Sequence, residues 1–174
     1  IPLSAGGQAT ARVAASGDDG VPTYFVESDG LFPRSRVYGE TNDLERYLAF
    51  SQAALELPKQ LGWPPDIFHC NDWHTAPIAF GLRNRAWGDA FYRNAACVLT
   101  IHNLRYRGPD ELADFLCQGI YYADAVTTVS ETYAREILTP EYGEGLHPLL
   151  QQRQHRLFGI LNGLDYGEYD PAHD

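Results

Sequence analysis

Asp66-Ile67-Phe68-His69-Cys70-Asn71-Asp72-Trp73-His74-Thr75 is a short apolar run that breaks off abruptly into polar side chains. Pro64-Pro65 punctuates its start, so residues 66–70 read as a strand, and the spacing predicts a helix over about 75–86. Working downstream, the alternation repeats. Ala96 to Ile101 is a continuous apolar strand, a helix follows over about 110–119, and Ala125 to Val129 is the next strand. Ser130 then caps a helix carrying Tyr133, Ala134 and Ile137. A helix over about 145–155 leads to a last strand, Phe158-Gly159-Ile160-Leu161. Upstream, Thr23 to Glu27 is β-rich, and the first 22 residues read as strand fragments and loops with a turn at Gly17-Asp18-Asp19-Gly20. Leu44, Tyr47, Leu48, Leu55 and Leu61 recur at helical spacing and give a helix over roughly 43–61. Asn42 with Glu45 forms its expected capping pair, and Pro58, lacking an N–H, should kink it or end it early. Apolar strands alternating with helices define an α/β fold: a Rossmann-like parallel sheet with helices on both faces.

In such sheets ligands bind beyond the carboxyl ends of the strands. Three strand exits carry polar groups there. The first, His69 to Thr75, suits a sugar: carboxylate, amide and imidazole bond hydroxyls directionally, and the Trp73 indole offers an apolar face to pyranose C–H groups. Taken alone it also fits a structural role, with Asp72 as helix N-cap and His69 packed on the sheet. His69, Asp72 and His74 match no zinc spacing, so no metal is expected. The second exit is Thr100-Ile101-His102-Asn103-Leu104, one strand–helix unit later, where an imidazole ends the strand. The third, Ile160-Leu161-Asn162-Gly163-Leu164, carries an Asn-Gly turn signal with expected positive φ.

Composition narrows the ligand. The 174 residues carry a formal net charge of −10, with Lys59 the single lysine, which disfavours nucleic acid. No apolar run approaches the roughly 20 residues a membrane span needs, and no secretory leader is visible. No GxGxxG, GxxxxGK[ST] or GxSxG occurs, so neither a bound dinucleotide, P-loop chemistry nor a serine elbow is supported. Cys70, Cys97 and Cys117 form no CxxC pair and are expected to be reduced, buried thiols. No cofactor is expected.

The exits, read in order, resemble the bacterial-type glycogen synthases and plant starch synthases. The matching stretches are Pro65 to Ala76, Leu99 to Leu104, Tyr122 to Ser130, Thr132 to Ile137, Thr139 to Leu146 and Gly159 to Tyr166, with Tyr24 to Glu27, Leu31-Phe32 and Tyr38-Gly39 upstream. The resemblance implies a GT-B architecture, with residues 1–174 a partial N-terminal, acceptor-side domain and the C-terminal donor-binding domain absent. It implies transfer of glucose from ADP-glucose to the non-reducing end of an α-1,4-glucan with retention. It places Asp72 and His102 as the catalytic pair beside the transferred glucose. Trp73, His74 and Asn103 line that pocket, Asn162 contacts the donor, and Tyr38 is an acceptor-side aromatic. It also implies a cytoplasmic enzyme, or a stromal one in a plastid.

Three departures qualify this. The family's Lys-containing Gly-Gly-Leu loop has no counterpart here. Pro109 to Gln118 bridges in ten residues a segment the family makes longer, and the chain stops at Pro171-Ala172-His173-Asp174, where the family enters its linker. The isolated chain is therefore expected to be inactive without the second domain. Two alternatives remain: a non-catalytic glucan-binding or regulatory module that keeps the acceptor face, and a GT-B enzyme using another nucleotide sugar.

Overall fold

The computed structural model describes residues 12–16, 21–28, 30–32, 36–37, 39–86, 89–107, 114–170 and 172. The turn expected at residues 17–20 and the side chain of Tyr38 lie outside them. Strands β1 (Arg12–Ser16) and β2 (Thr23–Glu27) form a small antiparallel sheet, Arg12 opposite Glu27 and Ser16 opposite Thr23. Helix α1 (Asp43–Gln60) leads to the main sheet, whose strands β3 (Ile67–Asn71), β4 (Ala96–Ile101), β5 (Ala125–Thr128) and β6 (Leu157–Gly159) are all parallel and lie side by side in chain order. Between them run α2 (Asp72–Thr75), α3 (Pro77–Ala86), α4 (Phe115–Tyr122), α5 (Glu131–Glu136) and α6 (His147–Gln152).

Helices flank the sheet: α1 packs on α3, α3 on α4 and α4 on α6, while α5 packs on β5 and β6. Cys70, Cys97, Leu99, Ile101, Val126 and Thr128 are buried on the sheet. The alternate side chains face the other way: on β3, Ile67, His69 and Asn71 are exposed. There His69 Nε2 meets Thr100 Oγ1 at 2.7 Å, and Thr100 Oγ1 meets Thr127 Oγ1 at 2.7 Å, a polar row across three strands. Gly119 lets α4 come close to the sheet, since a Cβ there would lie 2.7 Å from Ala76 Cβ and 2.9 Å from Leu99 Cδ2. Asp124 locks two strands, its carboxylate accepting from Cys97 N at 2.9 Å and pairing with Arg83. All three cysteines are free. The Cys70 and Cys97 sulfurs lie 3.7 Å apart, and that contact together with burial pushes the Cys70 thiol pKa up.

Several boundaries differ from the sequence reading. Asn42 makes no side-chain cap; instead Asp43 Oδ2 accepts from Gly39 N at 2.6 Å and Glu40 N at 3.2 Å. Asp43 is buried and paired with Arg46 at 2.5 Å, so its carboxylate serves the preceding loop. Pro58 sits in the last turn of α1, which ends at Gln60 ahead of Gly62 at φ +62°. Helix α4 begins at Phe115, later than expected, because the Asp114 side chain accepts from Cys117 N and sets its first turn. Strand β6 ends at Gly159; Ile160 N still donates to Thr128 O at 2.8 Å, and the chain then leaves the sheet. Gly163 is not among the glycines with positive φ, and the turn falls instead at Asp165, whose Oδ1 accepts from Gly167 N. Among the described residues no helix is long and apolar enough to cross a membrane.

Candidate active site

The junction of β3 and α2 holds its backbone in an unusual conformation. Asp72 adopts φ +53°, a left-handed conformation that costs an L-residue about 1–2 kcal/mol. What offsets this is its carboxylate: Oδ1 accepts from the backbone N–H of His102 at 2.8 Å and of Asn103 at 3.3 Å. Bonds to a charged acceptor are stronger than neutral ones. Asp72 is thus not the N-cap of α2. That position belongs to Asn71, which makes no side-chain cap. Its backbone is closed by Thr75, whose Oγ1 accepts from Asn71 N at 2.6 Å and donates to Asn71 O at 2.9 Å. The first and second exits are therefore tied together across 30 residues of sequence.

The ring of His102 is exposed, and its Nε2 lies 3.0 Å from Asn71 Oδ1. Asn103 folds over its own turn, Oδ1 accepting from Arg105 N at 3.0 Å. Asp72, Trp73, His74, Asn103 and Tyr106 line a pocket of about 170 Å³. Four of these five were expected at the site; Tyr106 was not, although it stands only four residues beyond His102. Its ring is 55% exposed.

Trp73 lines the pocket and is at the same time packed into the protein. Only 5% of it is exposed, and it belongs to the hydrophobic core. Its indole stacks on His74 with ring centroids 4.0 Å apart and meets the Tyr47 ring edge-on at 4.8 Å. Most of the indole face that a sugar would use is covered by protein. Burial pushes the His74 imidazole below its ordinary pKa of 6.5, with the carboxylates of Asp72 and Asp43 pulling it back up. His69 points to the opposite face of the sheet from the core and bonds Thr100, so it does not converge with Asp72 and His74. Among the described residues no three His, Cys, Asp or Glu groups could hold a metal ion.

Asn162 is not among the residues that line this pocket. It is exposed and follows β6, two strands beyond β4, which at about 4.8 Å per strand is roughly 10 Å along the sheet. Tyr38 lies outside the described residues, but its neighbours are held firmly. The Val37 carbonyl accepts from Arg46 Nη2 at 3.2 Å and from the Tyr47 hydroxyl.

A parallel α/β sheet with carboxylate, imidazole, amide and phenol groups gathered beyond its strand ends is a Rossmann-like domain whose polar groups stand where such sheets bind ligands. Residues 2–152 match the family described as starch synthase catalytic domain. The chain is 41% identical over 177 residues to the glycogen synthase of Desulforudis audaxviator, covering 88% of this chain and 35% of that protein. It is 41% identical over 181 residues to the glycogen synthase of Moorella thermoacetica, covering 91% and 37%. Among solved structures it matches the catalytic domain of starch synthase IV from Arabidopsis thaliana bound to ADP and acarbose, with a TM-score of 0.82 and 32% identity over 98% of this chain and 40% of that one. The chain belongs to the starch synthase catalytic-domain family, and its fold is that of the GT-B glycosyltransferases. It spans little more than a third of the length of the curated relatives it matches.

Proposed function

We propose that this chain forms the acceptor-side half of a glucan synthase active site, which transfers glucose from ADP-glucose to the non-reducing end of an α-1,4-glucan with retention. The observation that carries this reading is the Asp72 carboxylate, which binds the backbone of His102 and Asn103 and so preorganises two strand exits around one pocket. The structural relative in complex with ADP and acarbose supports a nucleotide sugar and a glucan as the two ligands. A neutral polysaccharide also suits a chain of net charge −10.

In this reading the glucan hydroxyl attacks C1 of the donor glucose on the face the nucleotide leaves, and the departing phosphate takes its proton. The C1–phosphate bond breaks as the new glycosidic bond forms. His102 stabilises charge that develops on the sugar in the transition state, and Asp72 orients the loop that carries it rather than acting as nucleophile. His74 and Asn103 bond sugar hydroxyls. Tyr106, the exposed aromatic of the pocket, takes over the stacking role that a buried Trp73 is poorly placed to fill. Asn162 and Tyr38 join from the donor and acceptor sides. In this reading the donor side of the cleft is formed by a second, donor-binding domain.

The test is ADP-glucose transfer to glycogen, measured for this chain alone and for the same chain joined to the donor domain of a relative. Turnover is expected only in the second. Robust turnover by the chain alone would overturn the half-site reading, and transfer from UDP-glucose in preference to ADP-glucose would overturn the donor assignment. Substituting His102→Ala in the active form should lower kcat far more than it raises KM for the glucan.

A further inference from the structure

We propose that Asn71 is a positioning residue for His102: its side-chain carbonyl accepts from Nε2–H, which fixes the tautomer and the facing of the imidazole and leaves Nδ1 free of its proton. This rests on the reading of His102 given above. The ring is exposed, so packing does little to hold it, and its hydrogen bond to Asn71 Oδ1 at 3.0 Å orients it. An imidazole bonded through one nitrogen has the role of the other decided for it. Asn71 is itself firmly held. Thr75 Oγ1 bonds both its N–H and its C=O, and in the β3–β4 register Asn71 lies directly opposite Thr100, two residues before His102. The backbone of His102 is meanwhile fixed by Asp72. Two consecutive residues of one junction thus hold the catalytic candidate separately, one by its main chain and one by its ring.

Asn71 bonds through its backbone to the fold and through its side chain to His102, so the two functions separate on substitution. Asn71→Asp keeps an acceptor oxygen in place; Asn71→Leu keeps the volume and removes it. Side-chain nitrogen spectra of the 15N-labelled chain, recorded at about pH 9 so that the ring is neutral even beside a carboxylate, should show His102 protonated at Nε2, with Nδ1 bare, in the parent and in Asn71→Asp. In Asn71→Leu the two nitrogens should move toward the averaged shifts of a ring exchanging between tautomers. In the transfer-competent form, Asn71→Leu should lower kcat by roughly ten- to a hundredfold, the range seen when a histidine at a metal site loses its orienting partner. KM for the glucan and the melting temperature should be nearly unchanged, and Asn71→Asp should retain most of the rate. Identical His102 spectra in all three proteins, or a rate lost equally in Asn71→Asp and Asn71→Leu, would overturn the proposal. The spectra do not depend on turnover. An inactive parent with the expected spectra would therefore count against the glucan synthase reading and not against the Asn71–His102 bond.

Discussion

The exits of β3 and β4 and the exit of β6 lie at the same end of one parallel sheet, and they are built in opposite ways. At the first pair, a strained Asp72 reaches 30 residues along the sequence to hold His102 and Asn103, Asn71 holds the His102 ring, and Thr75 closes the turn behind them. Beyond β6, Ile160 N still donates to Thr128 O. The turn that follows is local, with Gly167, Glu168 and Tyr169 all donating to Asp165. Leu161 is 77% exposed and Tyr166 79%. Both regions carry family motifs. A motif marks where chemistry belongs; among the described residues the first region adds side-chain bonds that tie two exits together, whereas Ile160 at the β6 exit bonds Thr128 by main chain.

The largest expected effect breaks the rigid side. Trp73 is buried against His74 and Tyr47, so Trp73→Ala should cost about 3–5 kcal/mol of stability in urea unfolding. A loss below about 1 kcal/mol would mean the indole is presented to ligand and not packed. Next comes the other side, through the one glycine that lets β6 dock. A Cβ on Gly159 would lie 2.4 Å from Glu131 Cα, Glu131 N and Ser130 O, all main-chain atoms that cannot rotate away. Gly159→Ala should destabilise by about 2–3 kcal/mol, the cost of overpacking a tight site. Hydrogen exchange should show that loss concentrated in β6 and α5, with the amides of His102 and Asn103 still protected. Loss of protection at His102 would tie the two regions more closely than their bonding implies.

A smaller effect is set by pH. Burial lowers the His74 pKa in the folded state, so below the ordinary value of 6.5 the unfolded chain binds a proton that the folded chain resists. The stability His74 contributes as a neutral ring is full above about pH 6.5. It is lost as pH falls through the lowered folded value, and the curve flattens below that. His74→Gln should remove this part of the acid slope; equal slopes in parent and variant would show that the ring is not desolvated.

How much of this was legible in the sequence follows the range of the interactions. Strands β3, β4 and β5 were read within about a residue because parallel strands bury continuous apolar runs, and the rule that ligands sit beyond their carboxyl ends picked out Asp72, His74, His102 and Asn103. What escaped was non-local. No local pattern tells that Asp72 has positive φ and bonds two amides 30 residues away, or that Asn71 turns its side chain to His102. An indole beside polar residues reads as a binding face, and no local pattern shows that Tyr47, 26 residues earlier, packs on Trp73. Asn42 reads as a cap by its type, but at φ −105° and ψ 20° its side chain makes no cap bond, and Asp43 serves the loop instead. Tyr106 left no signal beyond its closeness to a strand exit.

The smallest structural effect is expected at Asn162, and there it sharpens the contrast most. Asn162 is exposed beyond the end of β6, so Asn162→Ala should change the unfolding free energy by no more than about 0.5 kcal/mol. If it contacts the donor as proposed, the same change in a transfer-competent form should still lower kcat/KM for ADP-glucose by tenfold or more, the equivalent of about 1.4 kcal/mol of transition-state binding. Asp72→Ala, by contrast, should register in both measurements, because its carboxylate holds main chain as well as chemistry. A measurable stability loss in Asn162→Ala would mean that the β6 exit has a fixed geometry of its own. No loss in either assay would reduce the third exit to a turn and leave the pocket between β3 and β4 as the whole of this chain's share in catalysis.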